Sequence, residues 1–126
     1  MSKRKSQADH DTMIEFLADG LYGRNLKDVM ADIPGYKRPP MFTLSGYKNG
    51  HIPDVTAYDG AQLLIYEVET PDSINDPHTE EEWKFFADYA WQNNAVFHVV
   101  VPPLEMPSAR KRLKELNIEA QVVPIP

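Results

Sequence analysis

An Asp59-Gly60 pair stands between two strand-like runs, Ile52-Pro53-Asp54-Val55 on one side and Leu64-Ile65-Tyr66-Glu67-Val68-Glu69 on the other. Asp-Gly readily takes the positive φ angles of a type I′ turn, so the stretch is constrained towards a tight antiparallel hairpin. With Asp59 and Gly60 as the loop, Tyr58 pairs with Ala61, Asp54 lies opposite Ile65, and Ile52 lies opposite Glu67. Directly opposed residues share a face, as do alternate residues of one strand. Asp54, Glu67 and Glu69 are thereby expected on one face, with Asp54 and Glu67 as diagonal neighbours roughly 7–8 Å apart along the backbone. Carboxylates gathered in this way repel one another unless a cation sits among them, which points to a divalent metal site. A slip of one residue would send Asp54 to the other face.

The rest of the chain bounds what such a site can serve. At 126 residues it fits one domain, and 42% hydrophobic residues suffice for one core. No apolar run is long enough to span a membrane, and the basic start, Met1 to Gln7, lacks the apolar stretch of a secretory signal. A basic flexible tail is expected over residues 1–8 and a single domain over 9–126. The chain has no cysteine, which excludes thiolate chemistry and fits a cytoplasmic protein. The net charge of −6 has the wrong sign for tight binding to phosphate backbones. The basic residues are clumped, however, at Lys3 to Lys5, Lys37 with Arg38, and Arg110 to Arg112 with Lys114.

Apolar spacing and breakers predict the elements. Asp11 caps a helix from Thr12 to about Gly20, with Met13, Ile14, Leu17 and Leu21 inward. Leu26, Val29, Met30 and Ile33 suggest a second short helix ended by Pro34-Gly35. Met41 to Leu44 is expected as the first strand of a meander, followed by the hairpin. Thr79 and Glu82 form a capping box for a helix that runs to Asn93-Asn94. Ala95 to Val101 reads as a strand buried on both faces. Ser108 caps a last helix, and Ala120 to Val123 is the final strand. A meander followed by crossover units predicts a mixed α/β sheet flanked by helices.

This order, with Pro53-Asp54 and Glu67-Val68-Glu69, resembles the PD-(D/E)XK nuclease superfamily, which includes restriction endonucleases and archaeal Holliday-junction resolvases. The resemblance covers most of the chain and implies a restriction endonuclease-like αβββαβαβ core. It implies that Asp54 and Glu67 hold Mg²⁺ (or Mn²⁺) together with the backbone carbonyl of Val68, and that a Glu on the first helix assists, Glu15 being nearest. Glu69 stands where the family has Lys. Three readings follow. Glu69 acts as a further metal ligand or base; Lys84 of the next helix supplies the missing ammonium; or catalysis is lost and the fold serves binding. The implied function is a metal-dependent endonuclease acting on DNA or a related nucleic acid as a homodimer. The alternative is an inactive nuclease-fold module for nucleic-acid or protein binding. His10, His51, His78 and His98 show no metal-ligand spacing, and His98 is expected as a satisfied strand residue.

Overall fold

The computed structural model describes residues 7–125. The chain forms α1 (Gln7–Gly23), β1 (Lys27–Ala31), β2 (Val55–Asp59), β3 (Gln62–Val68), α2 (Pro77–Asn93), β4 (Val96–Val101), α3 (Met106–Leu116) and β5 (Gln121–Pro124). A 3-10 turn over Pro103–Glu105 leads into α3. The five strands make one mixed sheet in sequence order. β1, β2 and β3 are antiparallel neighbours, and β4 and β5 add on in parallel. The described residues thus form a mixed α/β fold with a five-stranded sheet and three α-helices.

Alternation along the strands builds two cores. On one face, Ile65, Phe97, Val99 and Val101 pack against Trp83, Phe85 and Phe86 of α2 and Ala109 and Leu113 of α3. On the other, Val55, Ala57, Tyr66, Val68 and Val100 pack against Ile14, Ala18 and Leu21 of α1. β4 lies between β3 and β5 with nearly every residue buried, as its unbroken apolar run requires. His98 in that strand is buried, donates through Nδ1 to the Ile65 carbonyl at 3.1 Å and stacks on Tyr66.

The expected short helix at Leu26 to Ile33 is instead β1. A segment of two turns gains little from helical propagation, whereas pairing with β2 gives its backbone partners and buries Ala31. Asn25 and Asp28 adopt left-handed φ angles of 64° and 51°, and the β1–β2 register shifts between Lys27 and Met30. Both features break a helix at the start of the segment. The expected strand at Met41 to Leu44 is reduced to one bridge, Phe42 with His51. Pro39 and Pro40 have no N–H to extend that ladder. The segment covers α2 instead, with Phe42 stacked on Tyr89 at 4.3 Å between ring centroids. Gly50 makes this closeness possible, because a Cβ there would stand 2.8 Å from the Phe42 carbonyl oxygen.

The helix starts also move. α1 begins at Gln7 and ends at Gly23, so residues 7 and 8 are helical; Lys3, Arg4 and Lys5 lie outside the described residues. α2 begins at Pro77 under an Asp76 cap whose side chain accepts from His78 N–H, three residues ahead of the expected capping box. It stops at Asn94 in the left-handed conformation. α3 begins at Met106, ahead of Ser108. Among the described residues, no helix is long and apolar enough to cross a membrane.

Candidate functional site

The hairpin forms, but its turn sits one residue further on. Asp59 pairs with Gln62, leaving Gly60 and Ala61 as the loop, and Gly60 takes φ 60°. Every pair is therefore displaced by two residues from the expected register. The ladder ends where Val55 pairs with Tyr66, and just beyond it the Asp54 N–H reaches the Glu67 carboxylate. A displacement of two preserves the face of each side chain within the strands, and Asp54, just outside β2, still meets Glu67.

Asp54 and Glu67 clasp the end of this ladder. Glu67 Oε2 accepts the Asp54 N–H at 2.8 Å, and Asp54 Oδ2 accepts the Val68 N–H at 2.8 Å. Each carboxylate thus satisfies a backbone donor where strand pairing stops. Asp54 is 9% exposed and Glu67 1%. Burial, then the negative charges of Asp54, Glu82 and Glu69, push the Glu67 carboxyl well above the usual carboxylate range; the Asp54 N–H offsets part of this.

Glu69 is fully buried, and its charge is one of those felt by Glu67. Its carboxylate is held by two donors, Ser73 Oγ at 2.6 Å and Trp83 Nε1 at 3.1 Å. It thereby ties the end of β3 to the loop behind it and to α2. Glu15 is exposed on α1, where its charge acts on Tyr36. Lys84 points its ammonium at Glu80, 2.8 Å away, and Glu80 also accepts from Arg112 of α3. The ammonium expected near the acidic centre is therefore committed to an α2–α3 ion-pair chain. Arg110, Lys111 and Lys114 are exposed on α3.

Two residues join the centre that the sequence did not assign to it. Glu82, on the second turn of α2, raises the Glu67 carboxyl and lies 4.0 Å from His78. His10 of α1 is 4% exposed, and its Nε2 lies 3.2 Å from Asp54 Oδ2. The only sequence trace of His10 is its place on the inward stripe of α1, three and four residues before Met13 and Ile14. His51 is buried with Nε2 3.4 Å from Glu81 of α2, and burial lowers its imidazole below the ordinary value.

The donors fit a hard divalent cation in kind: carboxylate oxygens of Asp54 and Glu67, the Val68 carbonyl, and an imidazole at hand. The charge crowding that drives Glu67 towards its neutral form is also what a cation would relieve. Among the described residues, no three His, Asp or Glu side chains already converge on a common point. Comparison with protein-family models, with curated proteins and with solved structures returned no match. Fold and site together define a mixed α/β protein with a buried acidic centre where β2 and β3 meet α1 and α2.

Proposed function

We propose that the chain is a restriction endonuclease-like domain of the PD-(D/E)XK type that hydrolyses phosphodiester bonds of DNA or a related nucleic acid with Mg²⁺ or Mn²⁺. The observation that carries this reading is the contact between Asp54, just ahead of β2, and Glu67 of β3, both buried and Glu67 crowded by negative charge. The element order supports it, with three antiparallel strands followed by parallel additions. Asp54, Glu67 and the Val68 carbonyl would hold the cation. Once bound, that cation supplies an activated water and neutralises charge on the phosphate in the transition state. Glu69 positions the end of β3 through Ser73 and Trp83, which keeps Glu67 and Val68 in place.

A second reading, a binding module without catalysis, is favoured by one observation. Lys84 is held by Glu80, and Glu69 occupies the place of the motif Lys with its carboxylate bound to neighbours. A plasmid-nicking assay with Mg²⁺ or Mn²⁺ separates the two. The first reading expects cleavage that falls at least about a hundredfold in Asp54→Asn, since a metal ligand is lost, and is unchanged in Lys84→Ala. Cation binding without cleavage of duplex, junction or single-stranded DNA would establish the second reading.

A further inference from the structure

A groove at the start of β4 is separate from the acidic centre. It has a volume of about 880 Å³ and lies where the C-terminal ends of α2 and α3 flank the starts of β4 and β5. That is the size of a ligand pocket rather than of a gap between packed side chains. The groove reaches Val96, the first residue of β4, whereas the Glu69 N–H bonds to Val100 near the other end of that strand. We propose that this groove docks a basic segment of a protein partner, with an Arg side chain of that segment stacked on Trp91 and its guanidinium held by Asp88 and Glu119.

The charges around the groove favour a cation. α2 ends there at Asn93, and the Asn94 and Ala95 N–H groups both bond to the Ala90 carbonyl. The carbonyls of the last turn therefore keep their negative ends outward, and no basic residue stands in that turn to offset them. Asp88 of α2 and Glu119 after α3 add two exposed carboxylates. Lys84 also borders the groove, but its ammonium is 2.8 Å from Glu80. Lys114 stands in the last turn of α3 and offsets the end of that helix, not the end of α2.

The apolar part of the groove selects the bearer of the charge. The Trp91 ring is 87% exposed there, and Leu116 and Ile118 add half-buried apolar surface. A bare metal ion or a small ammonium would leave that surface wet. An Arg side chain lays its methylenes on it, stacks its planar guanidinium on the indole and donates to both carboxylates. Nucleic acid is disfavoured by the same charges, since its phosphates would face helix carbonyls and carboxylates.

Titration of the ¹⁵N-labelled full chain with the peptide acetyl-Leu-Arg-Leu-amide, followed by NMR, tests this. The expected result is saturable shifts of the Trp91 indole N–H and of the Asn94 and Ile118 amides. Replacing the peptide Arg by citrulline keeps its shape and removes its charge, and should weaken binding at least about tenfold. The double variant Asp88→Asn/Glu119→Gln should do the same, and Trp91→Ala should weaken binding about threefold to fivefold. All three positions are exposed, and Asn at position 88 still accepts from the Tyr47 hydroxyl. Amide spectra check that the variants fold, and the citrulline comparison, which leaves the protein unchanged, carries the test if they do not. Equal affinity for the citrulline peptide, or full affinity in the folded double variant, overturns the proposal. So does the absence of any shift. Shifts at Trp91 with a single-stranded oligonucleotide but not with the peptide would give the groove to nucleic acid. A dimer in sedimentation that Trp91→Ala dissociates would give it to a second copy of the chain. Either result overturns the proposal as well.

Discussion

Glu67→Gln isolates the electrostatics of the acidic centre. Glutamine keeps a side-chain oxygen to accept the Asp54 N–H and cannot ionise. In the wild-type protein, burial and the neighbouring carboxylates raise the Glu67 carboxyl well above its ordinary value of 4.5. The folded state therefore holds a proton that the unfolded chain has released. The proton count is higher in the folded state, so stability falls as pH rises, beginning near the unfolded value and ending only when pH passes the folded one. The slope in that window is about 1.4 kcal/mol per pH unit. Over each pH unit in which the folded carboxyl stays protonated and the unfolded one is ionised, the wild-type protein loses about 1.4 kcal/mol relative to Glu67→Gln. Titrating groups distant from the centre occur in both proteins and cancel in the difference, whereas Asp54, Glu69 and Glu82, which interact with Glu67, contribute to it. At this chain length each such unit amounts to about 3–6 °C in Tm. Urea unfolding of both proteins at several pH values, without added divalent cation, measures it. Stability curves that run parallel from pH 5 to 7 would show that Glu67 is ionised in the folded chain, and the crowding argument would fall.

Two further predictions concern how the site is held. Trp83→Phe keeps most of the buried ring but removes the indole donor to Glu69, which is fully buried; it should cost about 1–3 kcal/mol in urea unfolding. A loss below about 0.5 kcal/mol would mean that the remaining partners of Glu69 suffice without the indole. Asp76→Ala removes the side-chain acceptor at the start of α2 and should cost about 1 kcal/mol by thermal unfolding. An unchanged Tm would show that the Asp76 side chain adds nothing beyond the fixed φ of Pro77.

Much of the acidic centre was legible locally. Side chains alternate with a period of two along a strand, so a turn misplaced by one residue shifts pairing by two and leaves the faces unchanged. Asp54 and Glu67 therefore come together whichever of the two turns the hairpin takes. The long apolar run of β4 likewise carried its own burial pattern. The segment from Leu26 to Ile33 shows where local reading stops. Apolar residues in an eight-residue stretch satisfy a helix and a strand almost equally, and pairing with β2 decided between them. Proline cost the Met41 to Leu44 segment its ladder, and Phe42 found its contacts on α2 instead.

The sequence alone determined that Glu67 and Glu69 share a face of β3, because that depends only on strand periodicity. Tertiary structure alone decided what those carboxylates touch. His10 meets Asp54 across two elements, Trp83 and Ser73 claim Glu69, and Glu80 claims Lys84. Contacts between distant segments depend on how helices dock on the sheet, and no local period in the chain encodes that docking.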